Sequence, residues 1–473
     1  MDPSLARLLL AEDQEAQIRV DMAKAIRLAR SAAPHRPELN GPLKLLLVGY
    51  AGAGNIGADI KMHETARQLR AILPGVELGI MARGTPSAPI EGAVLEVPDG
   101  YFPDRLSKLV ARYDGVVVVE GSLYKSTFSN TLTTMLVGAM ALAVAQGKPA
   151  IAFGVEAGRM DPDLAAFVRT HGTGATVICR SERALEAVIR DLGFPATLGA
   201  DTAWTFPPAP PAAAEALLGR HGWDGAAPVL ALCPINPFWW PVKPDALRAM
   251  AGEEEDLYQS IFYHTWTADR AARLERYLAA WAGAAQRAMA RTGAMPILIA
   301  METLDIAVCE RLAARLGNAP VLAAGQVQAA EIVAVLRRAA LVVTSRYHAA
   351  LTAIPAGGPV IGVTMDERIS NLMAERGCPE MALPVEAPDL AERLRAAVET
   401  CLSEGAAPGL QAFLTAQRAR QARMGRQAAE TLARAYPALA KTLDLTAPLD
   451  QFLPADKPTA RFPRLGKLSR RQS

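Results

Sequence analysis

The chain has 473 residues, which is too many for one hydrophobic core, and 51% of them are hydrophobic while 21% are charged. The formal net charge of +2 excludes the strong positive electrostatic field that would favour nucleic-acid binding. The five cysteines include no CxxC pair, which argues against a zinc site or a disulfide framework and fits a reducing cytosol. We therefore expect a cytoplasmic protein of two domains without a metal site.

The sequence predicts neither a membrane span nor a signal peptide. The best apolar run, 135–145, is too short to cross a bilayer, and acidic residues follow the short apolar run near the start. Apolar residues before residue 33 recur at helical spacing and predict an amphipathic N-terminal helix. The final segment, KPTARFPRLGKLSRRQS, is basic and poorly hydrophobic, which predicts disorder and a weak attraction to anions.

Short apolar runs alternate with helical patterns on both sides of the stretch TFPPAPPAAAEA. This alternation is typical of βα units and predicts an α/β protein with two parallel-sheet halves and a cleft between them. The proline- and alanine-rich stretch itself indicates a linker. The predicted organisation is a helical extension at 1–40, a first Rossmann-like domain at 41–206, a linker at 207–227, a second Rossmann-like domain at 228–400 with an aromatic insertion at 236–292, a C-terminal helix at 401–440 and a disordered tail at 441–473.

Polar residues follow the apolar run 341–343 at the point where a strand gives way to a helix. Ser345, Arg346 and His348 come in the stretch TSRYHAALTAI. Ligands of parallel α/β sheets bind outside the carboxyl ends of the strands, where helix N-termini favour anions. Arginine offers a planar fork for phosphate or carboxylate, and histidine can transfer a proton near neutral pH. We interpret this turn as an anion clamp beside a proton donor; a surface arginine and a capping histidine are the alternative.

A glycine-rich turn follows the first predicted strand. Gly52, Gly54 and Gly57 form a GxGxxG pattern between a strand and a helix, and Asn55 adds an amide. This pattern is typical of dinucleotide binding, but the second strand ends at Arg83 without the expected acidic residue. The same glycines would equally permit a tight turn, close packing of the helix, or the approach of another ligand to the backbone.

Further charged residues stand at the ends of other predicted strands. Arg180 mirrors Arg346 in the other half, so both could close on one anion across the cleft, or Arg180 could pair locally with Glu182 or Glu186. Glu302 follows another strand and could act as a base, whereas Asp305 fits a helix cap better. Asp366 follows the strand near residue 364 and could line the cleft or form an ion pair on the surface.

Aromatic residues are concentrated in the insertion of the second half. Their flat faces could stack on sugar rings, but packing of an inserted subdomain accounts for most of them. We expect one or two to contact an acceptor. The cluster consists of Phe238, Trp239, Trp240, Tyr258, Phe262, Tyr263 and Trp266.

Taken together, four stretches resemble the polysaccharide pyruvyl transferase family. They are GYAGAGNIG, VVVVEGSL, ICRSERALEAVIRDLG with GADTAW, and SRYHAALTAIPAGGPVIGV, whose Arg-x-His is the most specific. The resemblance covers about residues 44–372. It implies two Rossmann-like domains facing each other, as in GT-B glycosyltransferases, with phosphoenolpyruvate as donor and a pyruvate ketal on a sugar as product.

The resemblance also implies roles for individual residues. His348 would be the catalytic residue, and Arg346, Arg180 and Ser345 would bind the donor. The acceptor would be a sugar of a glycan or lipid-linked precursor, so peripheral membrane association through that acceptor or the basic tail is one expectation. No cofactor other than the phosphoenolpyruvate co-substrate is implied. Candidates for the loops on the acceptor side are Gly52, Gly54, Asn55, Glu120, Ser122, Glu302 and Asp366.

Three other interpretations remain open from the residues. One is a GT-B glycosyltransferase that uses a nucleotide sugar, although the pattern of a glutamate for the nucleotide ribose is missing. Another is an oxidoreductase dependent on NAD or NADP, limited by the missing acid. The last is a catalytically inactive protein that binds sugars or anions, because Ala58 and Glu120 depart from the family pattern. The acceptor cannot be read from the sequence.

Overall fold

The computed structural model describes residues 3–32, 39, 41–98, 102–265 and 268–454. Trp266 of the aromatic cluster and residues 455–473 of the predicted tail lie outside these ranges. Within them, no helix combines the length and the apolar character that crossing a membrane requires. The predicted class is confirmed: two parallel sheets, each with helices on its faces, form two Rossmann-like domains that face each other across a cleft.

The first domain is built on a parallel sheet with strand order β3-β2-β1-β4-β5-β6-β7. Its strands are continuous apolar runs because helices cover both faces, which leaves little place for alternating polar residues. The strands are β1 Lys44–Ala51, β2 Glu77–Ala82, β3 Val94–Glu96, β4 Gly115–Val118, β5 Ala150–Val155, β6 Thr176–Cys179 and β7 Ala196–Leu198. The helices are α1 Pro3–Leu9, α2 Gln14–Ser31, α3 Ile56–Ile72, α4 Pro103–Ala111, α5 Asn130–Ala145, α6 Pro162–His171 and α7 Glu182–Ala187.

The second domain repeats this design, with a parallel sheet in the order β13-β12-β8-β14-β15-β16 and an antiparallel sheet, β10-β11-β9, in the insertion. The strands are β8 Val229–Cys233, β9 Val242–Pro244, β10 Leu257–Gln259, β11 Phe262–His264, β12 Met295–Ala300, β13 Val321–Ala323, β14 Leu341–Thr344, β15 Val360–Thr364 and β16 Ala382–Pro384. The helices of this half of the chain are α8 Pro211–Arg220, α9 Ala246–Met250, α10 Ala268–Thr292, α11 Ile306–Ala314, α12 Ala329–Arg338, α13 Tyr347–Ala353, α14 Glu367–Arg376, α15 Leu390–Glu404, α16 Leu410–Ala435 and α17 Pro437–Ala440.

Two parts of the predicted organisation differ from the structure. The stretch predicted as a linker contains α8, and Leu217 and Leu218 of that helix are buried in the core of the second domain beside α12. The predicted tail begins too early, because Phe452 and Leu453 are buried against the first domain. Both segments carry apolar residues that a composition-based assignment to linker or tail undervalues.

The long helix α16 belongs to the first domain in space although it follows the second in sequence. Its apolar residues Met424, Ala428 and Leu432 pack in the same core as Phe153 and Ile178. This position confirms the prediction that the helix from Leu410 returns toward the first domain. The chain therefore passes between the domains twice, which ties the two halves of the cleft together.

The insertion sheet also crosses the cleft. The amide of Val242 donates to the carbonyl of Phe128 at 2.8 Å, and the amide of Ala246 donates to Gln14 Oε1 at 2.9 Å. Residues of the second domain therefore close one end of the cleft against α2 and α5 of the first. This contact brings aromatic side chains of the insertion over the space between the sheets.

Candidate functional site

A cavity of about 160 Å³ lies between the two domains at the carboxyl ends of their strands. The first domain supplies Asn55, Lys61, Glu120 and Ser122 to its wall, among others. The second domain supplies the acidic and basic residues Glu302, Arg346, His348 and Arg368. The position agrees with the general rule that parallel α/β domains bind ligands beyond the carboxyl ends of the strands.

Arg346 lines this cavity, but its guanidinium is held by two carboxylates of the same domain. Nε donates to Asp305 Oδ2 at 2.7 Å, Nη2 to Asp305 Oδ1 at 2.5 Å, and Nη1 lies 2.7 Å from Glu302 Oε2. Burial opposes the positive charge, but the two carboxylates raise the pKa of Arg346 above its ordinary value. The arginine predicted as a free anion clamp is thus already engaged in a fork of charge-assisted hydrogen bonds.

The carboxylates that hold Arg346 are themselves perturbed. Burial raises the pKa of both Glu302 and Asp305, and the attraction of Arg346 opposes that rise. Asp305 also accepts the amide of Glu302 at 3.1 Å, so the predicted capping role of Asp305 is confirmed.

His348 faces the same cavity from the N-terminal turn of α13. Its Nε2 lies 3.5 Å from Asp201 Oδ2 of the first domain, and this buried nitrogen has no hydrogen-bond partner among the described residues. Burial lowers the pKa of His348, while Asp201 opposes that effect. The imidazole is therefore neutral near pH 7, and its buried Nε2 faces Asp201 across the boundary between the domains.

Arg180 does not line the cavity, contrary to the prediction that it closes on the donor. Its Nε donates to Glu156 at 3.1 Å and its Nη1 to Asp201 at 2.9 Å, while its guanidinium stacks on Tyr347 at 3.9 Å. A Cβ at Gly121 would lie 2.5 Å from Nη1, so Arg180 sits behind the cavity wall. The structure thus supports pairing of Arg180 within the first domain, but its partners are Glu156 and Asp201 and not the predicted Glu182 or Glu186.

Two other predicted residues also face away from the cavity. Ser345 is buried, and its hydroxyl lies 2.9 Å from the hydroxyl of Tyr277 in the second domain. Asp366 caps α14 and pairs with Arg368 at 2.8 Å and with Lys125 at 3.5 Å. Each side chain satisfies its polar atoms within the protein, so neither is positioned to contact a ligand in the cavity.

The glycine-rich turn joins the two domains. Backbone bonds link Ile56 N to Met301 O at 2.9 Å and Thr303 N to Gly54 O at 3.1 Å, and Asn55 Nδ2 donates to Glu302 at 3.0 Å. The backbone amides of Gly52, Ile56 and Ala58, which could otherwise hold a pyrophosphate, all donate to protein groups. These contacts support the close-packing interpretation of the GxGxxG pattern and disfavour a dinucleotide site.

The three glycines each meet a close neighbour, and two of the three are predicted loop candidates. Gly52 and Gly54 have φ of +68° and +78°, and a Cβ at these positions would lie 2.0 Å from Gly84 O and 2.8 Å from Thr303 Oγ1. Neither glycine lines the cavity, whereas Asn55 does. Glycine is therefore required here by both conformation and space.

Lys61 is a cavity residue that the sequence analysis missed. It lies on α3 four residues after Gly57, is 1% exposed, and donates from Nζ to Gly154 O at 2.5 Å. Burial lowers the pKa of Lys61 to about 8. Helical spacing is a signal that could have found it, because residues four apart share one face of a helix and Lys61 therefore lies on the same face of α3 as Gly57.

An aromatic and apolar wall forms the other end of the cavity. Trp240, Tyr258 and Phe262 come from the insertion and Phe128 from the first domain; the ring centroids of Phe128 and Trp240 are 5.2 Å apart. Phe238 and Tyr263 are buried within their own domain. The wall also includes Leu132, Met135 and Leu136 of α5.

Comparisons with known proteins agree with the sequence resemblance. The sequence model of the polysaccharide pyruvyl transferase family matches residues 55–367, which is more than half of the chain. No curated protein matches the chain. The matched region includes Asn55 and Gly57 at the end of the glycine-rich turn, His348 and the acidic residues that hold Arg346.

Solved structures of similar architecture include sugar-nucleotide epimerases. UDP-GlcNAc 2-epimerase from Neisseria meningitidis, bound to UDP-GlcNAc, is 10% identical over 79% of this chain and 94% of its own, with a TM-score of 0.47. The corresponding enzyme from Methanocaldococcus jannaschii is 12% identical over 76% of this chain and 93% of its own, with a TM-score of 0.45.

Proposed function

This chain belongs to the polysaccharide pyruvyl transferase family, and we propose that it transfers a pyruvyl group from phosphoenolpyruvate to two hydroxyls of one sugar. The sugar would be part of a glycan or of a lipid-linked precursor. The observation that carries the proposal is His348, whose buried Nε2 has no hydrogen-bond partner among the described residues and which lines an interdomain cavity with cationic residues. A proton-transfer group beside positive charge fits a donor that must be protonated while it carries phosphate and carboxylate.

The proposed reaction forms a ketal in two additions. Protonation of the methylene carbon of phosphoenolpyruvate leaves an oxocarbenium-like carbon, which the oxygen of the first sugar hydroxyl attacks. The bond from that carbon to the phosphate oxygen then breaks, and phosphate leaves with the electron pair. The second hydroxyl attacks the renewed cation. Of the two hydroxyl protons, one replaces the proton taken up by the methylene and the other leaves with phosphate, so atoms and charge balance.

His348 is suited to this exchange by its surroundings. Burial keeps the imidazole neutral in the empty site, and Asp201 lies on the side where an imidazolium would be stabilised. A bound anion would add to the effect of Asp201 and raise the pKa of His348. The donor would thus convert the histidine into an acid at the moment when an acid is needed.

Glu302 and Arg346 would act beside His348. Glu302 is buried with a raised pKa, faces the cavity and is held by Asn55 and Arg346, so it could accept a proton from an attacking hydroxyl or hold one. Arg346 holds the two carboxyls in place, and its guanidinium is therefore not a free fork for the donor. The aromatic wall offers flat faces to a sugar ring.

The proposal is tested by measuring phosphate release from phosphoenolpyruvate with a panel of sugars and lipid-linked sugars, for wild type and His348→Ala. We expect acceptor-dependent release by wild type and a rate lowered by about 10²- to 10⁴-fold in the variant. Phosphoenolpyruvate binding should persist in His348→Ala. Full turnover by the variant would contradict the role of the histidine, and transfer from a nucleotide sugar instead would favour the GT-B glycosyltransferase interpretation.

A further inference from the structure

Lys61 differs from the arginines that line the cavity because, in the part of the chain that the structure describes, its positive charge is not paired with a carboxylate. Arg346 is paired with Glu302 and Asp305, and Arg368 is paired with Asp366. Within the described ranges of the chain, Lys61 has no carboxylate within 4 Å of its ammonium, which donates instead to the carbonyl of Gly154.

The ammonium of Lys61 has hydrogen-bonding capacity to spare. An ammonium group carries three N–H donors, and the bond to Gly154 O uses one of them. The side chain is buried, so bulk water does not freely satisfy the other two. A buried cation in a cavity wall with unused donors is the arrangement expected of an anion site.

The charged groups around Lys61 are satisfied by other partners. Asp201 and Glu156 both pair with Arg180, and Glu120 accepts the amide of Ser122 at 3.0 Å. None of these carboxylates forms a direct ion pair with Lys61, although each attracts it at longer range. The charged and titratable groups that face the ammonium from the surrounding elements are Asp201, Arg180, Glu120, Glu156 and His348.

We propose that Lys61 is the residue that binds the anionic group of the donor in this cavity, in place of the arginine pair Arg346 and Arg180. The identity of the anion, the phosphate of phosphoenolpyruvate, rests on the proposed function. The site itself is a site for a tetrahedral oxyanion and does not depend on that identity. Lys61 would donate its two remaining N–H groups to the anion, on the cavity side that His348 also faces.

This assignment gives the binding step a particular pH dependence. The charge of Lys61 is lost as pH rises through a pKa of about 8, whereas an arginine fork keeps its charge throughout that range. Sulfate does not titrate near neutral pH, and the phosphate of phosphoenolpyruvate is fully ionised above about pH 7. Asp201 is ionised and Arg180 is charged throughout this range, and the pKa of His348 in the empty site lies below it.

The test is a calorimetric titration with sulfate and, separately, with phosphoenolpyruvate, from about pH 7 to about pH 9.5. For wild type we expect the affinity for both anions to fall by about 10- to 30-fold across this range. Lys61→Met should weaken both by about 10- to 100-fold at pH 7, since charge-assisted hydrogen bonds are lost. Lys61→Arg should lose the fall in affinity above about pH 8, because the arginine keeps its charge there.

A matched control is Lys148→Met, because Lys148 also belongs to the first domain and donates to backbone carbonyls, those of Val110 and Ala111, outside the cavity. This variant should bind both anions as wild type does. A thermal melt of each variant confirms folding. If Lys61→Met binds sulfate as tightly as wild type, the proposal is overturned. If sulfate binding depends on Lys61 but phosphoenolpyruvate does not bind, the anion site stands and the proposed donor is wrong.

Discussion

The imidazole of His348 lies directly on the backbone of Gly57 from the opposite domain. A Cβ placed on Gly57 would come within 2.3 Å of Nδ1 of His348, and within 2.7 Å of its Cγ. The last glycine of the GxGxxG pattern therefore makes room for the proposed catalytic residue. A pattern that indicates nucleotide binding in other proteins is used here to bring a histidine against a helix N-terminus.

Gly57→Ala is expected to impair catalysis. The added methyl group must displace the ring of His348, and a displacement of about 1 Å at a reacting group can lower the rate about 10²-fold. The rate of phosphate release in the presence of an acceptor measures the effect. Gly283→Ala is the matched control, since a Cβ there meets nothing within 4 Å in the middle of α10. A wild-type rate for Gly57→Ala would contradict the positioning of His348.

Arg346→Met is expected to lower the free energy of unfolding by about 3–5 kcal/mol near pH 7. The substitution leaves Glu302 and Asp305 buried without their shared cation. Adding Asp305→Asn should restore part of the loss, and the deficit should shrink as pH falls and the carboxyls are protonated. Urea unfolding measures each variant. If Arg346→Met is as stable as wild type, the guanidinium is not the group that compensates these carboxyls.

Lys61→Met is expected to raise the free energy of unfolding at pH 7. Burial lowers the pKa of Lys61 from 10.5 to about 8, so the unfolded chain binds more protons between these values and wild-type stability rises with pH there. Below pH 8 the wild type carries the full penalty, about 3 kcal/mol. Lys61→Met removes this burial penalty, and the loss of the hydrogen bond to Gly154 O offsets part of the gain in stability. Thermal or urea unfolding should show that the variant's stability advantage over wild type shrinks between pH 8 and pH 10.5. A variant that is less stable than wild type at pH 7 would contradict this account.

Trp240→Ala is expected to raise the KM for the acceptor while the affinity for phosphoenolpyruvate stays close to wild type. Trp240 lies at the aromatic end of the cavity, and its flat face suits a sugar ring. Trp240→Phe keeps an aromatic face and should lose less. Steady-state kinetics with the sugar that supports turnover separates the two constants. If Trp240→Ala instead weakened the affinity for phosphoenolpyruvate and left the KM for the acceptor unchanged, the donor would lie at the aromatic end of the cavity and the assignment would be reversed.

The sequence predicted the fold where the signal was continuous. The apolar run 341–343 was predicted within one residue of the observed strand β14, because parallel strands covered on both faces are uniformly apolar. The short strands β7, β9 and β16 were missed, since three residues carry little periodicity and β9 and β16 each end in proline. The antiparallel sheet of the insertion could be seen only as a concentration of aromatic residues.

The sequence placed Arg346 and His348 at the right turn but could not supply their partners. Asp305 lies 41 residues from Arg346, and Asp201 reaches His348 from the other domain. Arg180 shows the same limit, because its partners Glu156 and Asp201 lie on neighbouring strand ends. Whether an arginine at a strand end is free or paired depends on such long-range contacts, which a single sequence does not reveal.

The central claim is that this cavity binds phosphoenolpyruvate as a donor. The most direct measurement is a calorimetric titration of the full chain with phosphoenolpyruvate at pH 7, alongside UDP-GlcNAc and NADP as competing ligand classes. We predict saturable binding of phosphoenolpyruvate that Lys61→Met weakens and His348→Ala leaves nearly intact, with no specific binding of the other two. Saturable binding of UDP-GlcNAc or NADP, together with none of phosphoenolpyruvate, would contradict the claim.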